Sequence, residues 1–150
     1  MLLNTNKVIG WQWVVAMVLV MALLAGCTEE ASEEQVAPMV EEYFATLEAK
    51  DYDKLLTFYH DDFFNLQTKQ EWLDHLNFVR ATLGEIQNIK LKQKQVNTVF
   101  SGRRFIYEYS LKYEKGFAKE TVMFFQEINT DVIKVHMHKI DSNLLKKAQG

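Results

Sequence analysis

Apolar residues recur along this chain with two different periods, and the change from one to the other comes at Gly84. Before it, Val36, Val40, Tyr43, Phe44 and Leu47 fall at helical spacing, with Glu41, Glu42, Glu48 and Lys50 on the remaining surface. That spacing predicts a helix over roughly Pro38 to Ala49. Pro38, the only proline, suits a first helical position because the N–H it lacks would be unpaired there. Asp51 is placed to cap a short second helix carrying Leu55, Leu56 and Tyr59. His60-Asp61-Asp62 then interrupts the pattern, and Phe63 to Leu66 reads as a short strand. Thr68-Lys69-Gln70-Glu71 has the form of a capping box. Trp72, Leu73, Leu76, Val79 and Leu83 continue at helical spacing, and Gly84 stands where a helix ends in the left-handed region.

From Glu85 onward the period is two. Ile89 and Leu91 interleave with Lys90 and Lys92. Phe105, Tyr107, Tyr109, Leu111 and Tyr113 alternate with Arg104, Ile106, Glu108, Ser110 and Lys112, which describes a half-buried strand with one aromatic face. Glu114-Lys115-Gly116 turns into Phe117 to Ile128, and Asn129-Thr130-Asp131 into Val132 to Ile140. Helices that need a face to cover, followed by about four long antiparallel strands, predict an α+β domain with the helices on one side of a curved sheet. Phe117 to Ile128 is apolar on both sides, with Val122, Phe124 and Ile128 on one and Phe117, Met123 and Phe125 on the other. The side away from the helices therefore needs a cover: a second copy paired through the sheet, the sheet's own curl, or the C-terminal Leu144 and Leu145.

This order of elements resembles the nuclear transport factor 2-like superfamily. The resemblance rests on Ala45 to Leu56 (ATLEAKDYDKLL), Lys69 to Leu83 (KQEWLDHLNFVRATL) running into Gly84, and the closing strand ending Lys139-Ile140-Asp141-Ser142-Asn143. It implies the cone-shaped α+β fold, and it implies little about activity, since one scaffold there serves isomerases, dehydratases, binding modules and assembly factors. The related enzymes line a pocket between helices and sheet. Here Tyr43, Tyr107, Tyr109 and Tyr113 are the candidate pocket residues, with Tyr59 beside them. Such enzymes also need a buried carboxylate or a His-Asp pair to move a proton. The aromatic face of Phe105 to Tyr113 holds no acid, and Glu108 lies on its opposite face, so no catalytic residue carries over. Aromatic rings packed as core are the alternative to a pocket.

The N-terminal segment carries a different kind of information. Leu24-Ala25-Gly26-Cys27 closes an uncharged apolar run that begins at Val8 and follows Lys7, and it resembles the lipobox of bacterial lipoprotein precursors. The resemblance implies a signal peptide over residues 1–26, a lipidated Cys27, and a short acidic tether over 27–36 ahead of a single domain at 37–150. Two acyl chains suffice for stable anchoring. Thr28 follows the cysteine where an inner-membrane retention signal has Asp, which implies the outer membrane, facing the periplasm. A plain membrane-spanning anchor over Val8 to Gly26 is the alternative. Gln12, Trp11 and Trp13 shorten the strongly apolar part and favour the lipobox.

With Lys7 removed, the mature part keeps 16 basic against 20 acidic side chains, an ordinary solubility charge and no footprint for nucleic acid. The single cysteine excludes disulfides and zinc-thiolate sites from the domain. His136 and His138, two apart on a strand, project from one face in a regular strand, and His60, Asp61 and Asp62 are further donors. Nothing in the sequence places that loop beside that strand. No metal site and no cofactor are expected, and His75 reads as a partly exposed helix residue. The expected partners are the membrane, through the lipid anchor, a second copy, and an envelope protein or small ligand whose identity the sequence does not give.

Overall fold

The computed structural model describes residues 30–149. The expected signal over 1–26, Cys27 and the first residues of the tether lie outside them. The chain divides into a unit of residues 1–39 and a unit of residues 40–150. Among the described residues no helix is long and apolar enough to cross a membrane.

Helix α1 (Glu30–Ala49) starts eight residues before the expected Pro38, which lies inside it. Ala, Glu and Gln before the proline are strong helix formers, and they extend the helix although the proline removes one backbone hydrogen bond and its ring crowds the carbonyl four residues earlier. In the second unit, Asp51 caps α2 (Tyr52–Thr57), its carboxylate accepting the Lys54 N–H at 3.1 Å. Phe63 to Leu66 is not the expected strand. Residues Asp61–Asn65 form a 3-10 turn, because the His60 ring caps it by accepting the Asp62 N–H. Helix α3 (Lys69–Leu83) has the expected capping box, with Thr68 and Glu71 bonded reciprocally. Gly84 ends it at φ 84°, and a Cβ there would sit 2.3 Å from a Glu114 carboxylate oxygen, so only glycine fits.

Strands β1 (Ile86–Val99), β2 (Gly102–Tyr113), β3 (Gly116–Glu127) and β4 (Ile133–Asp141) form a simple antiparallel meander, and α4 (Asn143–Gln149) closes the chain. The sheet is curved and unclosed, with the helices packed against it, an α+β arrangement. β1 is an exposed edge carrying Lys90, Lys92 and Lys94, charges that discourage further strand pairing. The inner face is built from Phe105, Tyr107, Tyr109, Leu111 and Tyr113 of β2, Ala118, Glu120, Val122 and Phe124 of β3, and Val135 and His138 of β4.

The outer face carries the expected apolar residues of β3, partly covered within the monomer. Phe117 is exposed, but Met123 and Phe125 are half-buried within the monomer, and Ile128 lies past the end of β3 and is exposed. Leu145 is buried and Leu144 is not, and α4 packs against α3, so the C-terminus joins the helical side and leaves the outer face uncovered.

The opposite edge, β4, is irregular, and its irregularity determines where the histidines go. Met123 pairs with Met137 and Phe124 with Val135, so His136 is an extra residue, a bulge. The bulge resets the alternation: Val135 and His138 both face the core, and His136 does not. The expected shared face of His136 and His138 is therefore absent. Next to the bulge, Tyr59 makes a parallel bridge to Val135, held by His60 N–H to Val135 O at 3.0 Å and Val135 N–H to Phe58 O at 2.8 Å.

Candidate functional site

Five polar side chains from α1, the α2–3-10 connection and three strands meet between helices and sheet. The side chains of Glu120 and His138 are fully buried, with His138 Nε2 3.0 Å from Glu120 Oε2. His138 pairs in register with Val122, which makes Glu120 its diagonal neighbour on the same face. The other carboxylate oxygen accepts the Tyr113 hydroxyl at 2.7 Å. On the far side of the imidazole, Nδ1 lies 2.7 Å from the Tyr43 hydroxyl and 2.9 Å from that of Tyr59, and the two hydroxyls are 2.8 Å apart.

One arrangement of hydrogens satisfies every group of this relay. With Nε2–H donating to the carboxylate, Nδ1 accepts one tyrosine hydroxyl, and the second tyrosine donates to the first. Every donor then has an acceptor, and Tyr43 and Tyr59 can exchange roles without moving a heavy atom. Burial pushes the Tyr43, Tyr59 and Tyr113 hydroxyls well above the usual tyrosine range, the nearby Glu120 charge adding to each, so all three stay protonated.

Aromatic rings seal the relay. Trp72 stands edge-on to His138 at 5.0 Å and to Tyr59 at 6.0 Å, and Phe124 edge-on to Tyr43 at 5.6 Å. The Trp72 indole N–H is buried with no hydrogen-bond partner among the described residues, although its proximity to Tyr59 slightly offsets the upward push on that hydroxyl. Tyr59 also forms part of the wall of a cleft of about 360 Å³ shared with His60, Asp61, Lys69 and Lys134.

Of the residues singled out from sequence, Tyr43, Tyr59 and Tyr113 are thus brought together, by a histidine and a glutamate. Tyr107 and Tyr109 stack on each other at 6.2 Å farther along β2, and burial, then Tyr107, pushes the Tyr109 hydroxyl up to about 12. The aromatic face of β2 does lack an acid, but β3 supplies one. Glu120 was missed although a signal was present: Ala118, Glu120, Val122 and Phe124 alternate in phase, and an acid in that phase points inward. His138 had no such signal, since its orientation depends on the bulge. His75, on α3, is half-buried and stacks on Trp72 at 5.3 Å, and burial lowers its pKa.

The three tyrosines differ in what their removal leaves behind. Tyr113→Phe deprives a buried carboxylate oxygen of its donor and should cost about 1–3 kcal/mol. Tyr43→Phe should cost less, about 0.5–1.5 kcal/mol, because Tyr59 still serves Nδ1. Denaturant midpoints of the two variants check the order, and equal losses would mean that the tyrosine pair does not share its protons as described.

A four-stranded antiparallel meander with helices on one face defines the class, an α+β domain with a closed polar relay in its core. Within that class the chain is similar in fold to a structure of Bdellovibrio bacteriovorus Bd1075, with a TM-score of 0.52 at 16% identity over 73% of this chain. The match spans 41% of that protein, so it concerns a part of it. No family model matches the chain, and no curated protein sequence matches it.

Proposed function

We propose that this chain is a lipid-anchored cell-envelope protein whose nuclear transport factor 2-like domain acts as a binding or assembly module without catalysis of its own. The resemblance of Leu24-Ala25-Gly26-Cys27 to a lipobox supports the anchor, and with Thr28 next in line it favours the outer membrane, periplasmic side. The order of helices and strands supports the finer fold assignment. The observation that carries the non-catalytic reading is the closure of the relay. Glu120 and His138, the one acid–base pair at the core among the described residues, have fully buried side chains, and their polar atoms are satisfied by each other and by Tyr43, Tyr59 and Tyr113. A general acid or base has to reach a substrate atom at about 2.6–3.2 Å, directly or through one water, and these atoms already spend that reach on each other.

The same pair favours a second reading, a ligand binder or enzyme of the isomerase or dehydratase type, in which the cleft beside Tyr59 opens inward. Two measurements decide. In a bacterial host, labelled fatty acid should enter the wild type and not Cys27→Ser, which should accumulate uncleaved. Label in the variant, or an uncleaved wild type, overturns the anchor. In the full chain in detergent, millimolar phenol, a probe for a site that can share a proton with a hydroxyl, should leave the His138 ring signals unchanged. A saturable shift would replace the non-catalytic reading with the second.

A further inference from the structure

The bulge that turns His138 into the core leaves His136 at the sheet edge, and the Tyr59–Val135 bridge brings the loop before the 3-10 turn against it. We propose that His60, Asp62 and His136 form a binding site for a zinc-class divalent cation, with the fourth position open to solvent.

The three donor atoms lie within 4.8 Å of one another. His60 Nδ1 and Asp62 Oδ2 are 3.3 Å apart, which is the donor spacing of a tetrahedral ion with bonds of about 2.0–2.1 Å; the Nδ1 lone pair accepts the Asp62 N–H at 3.1 Å, and an ion held there takes the place of that bond. Each ligand comes from a separately fixed piece of backbone. His60 is clamped by its N–H bond to Val135 O, Asp62 sits in the first turn of the 3-10 helix, and His136 is the bulged residue. A bulge that re-aims one side chain toward a site is a recurrent device. Outer-shell support is present too: the Asn65 amide donates to Asp62 Oδ1 at 3.2 Å, leaving Oδ2 toward the histidines, and the Phe125 ring meets the edge of His136 at 5.2 Å.

The imidazoles stack at 4.3 Å with planes 15° apart, so one ring has to turn for both lone pairs to converge. Both rings are only half-buried, and the Asp62 carboxylate is mostly exposed, so the turn meets no packed core. Two imidazoles and one carboxylate suit zinc and its neighbours and not calcium or magnesium, which take oxygen shells. Three protein ligands and an open position leave room for a water or for a side chain of a docking protein.

The test uses the full chain in detergent, stripped with chelator and titrated with Zn²⁺. One equivalent should bind with a dissociation constant in the micromolar range or below, and the melting temperature should rise as the site fills. Asp62→Asn, isosteric at an exposed position, should weaken binding at least tenfold. His60→Ala combined with His136→Gln should weaken it at least a hundredfold, while His75→Gln keeps wild-type affinity. Co²⁺ in place of Zn²⁺ should give the visible bands of a four-coordinate site in the wild type and lose them in the double variant. A wild-type dissociation constant above about 100 μM, or equal affinity in the wild type and Asp62→Asn, overturns the site even if the double variant does not fold.

Discussion

Glu120→Ala should destabilise the domain by about 2–6 kcal/mol, about 1–3 kcal/mol for each of the two buried donors it leaves unpaired. The substitution strands two donors at once, His138 Nε2–H and the Tyr113 hydroxyl, in an interior where neither can reach water. For a domain of this size the melting temperature should fall by roughly 10–20 °C. The expected recovery is as informative as the loss. The triple variant Tyr113→Phe, Glu120→Leu, His138→Phe removes donors and acceptors together and should return to within about 1–2 kcal/mol of wild type, because an apolar replacement of a buried pair is often near neutral. Tyr43 and Tyr59 would still bond each other. If Glu120→Ala melts with the wild type, Glu120 is not in the core; if the triple variant is as damaged as the single one, packing around the relay matters more than its protons.

Phe124→Ala and Phe125→Glu, neighbours in sequence, should differ sharply. Phe124 is fully buried, wedged edge-on between Tyr43 at 5.6 Å and Tyr107 at 5.8 Å, so its truncation should cost about 3–5 kcal/mol. Phe125 lies on the other face, half-buried against His136, where a glutamate can extend into water and the domain should remain folded. Urea unfolding of both variants measures this. Unfolding of Phe125→Glu at the same cost as Phe124→Ala would mean that the register of β3 is shifted by one residue, which would exchange its faces.

Local chemistry made much of this architecture legible in the residues. Thr68 with Glu71, Asp51 and Gly84 mark helix ends because caps act over three or four residues. The alternation in β2 was legible because one face of a regular strand is buried along its whole length. The turn over Asp61–Asn65 was not, since its cap is a histidine ring in place of the usual short polar side chain.

The sequence by itself determined three helices followed by four strands, the face of β2 that turns inward, and the lipobox-like segment, since each depends on residues close together in the chain; the 3-10 turn over Asp61–Asn65 and the closing helix Asn143–Gln149 were not among them. Tertiary structure alone decided the pairing of Glu120 with His138 and of His60 with His136. Both pairings turn on one extra residue in β4. Strand alternation has a period of two, so a single inserted residue exchanges inside for outside for everything beyond it, and no spacing of histidines in a sequence records that the insertion is there.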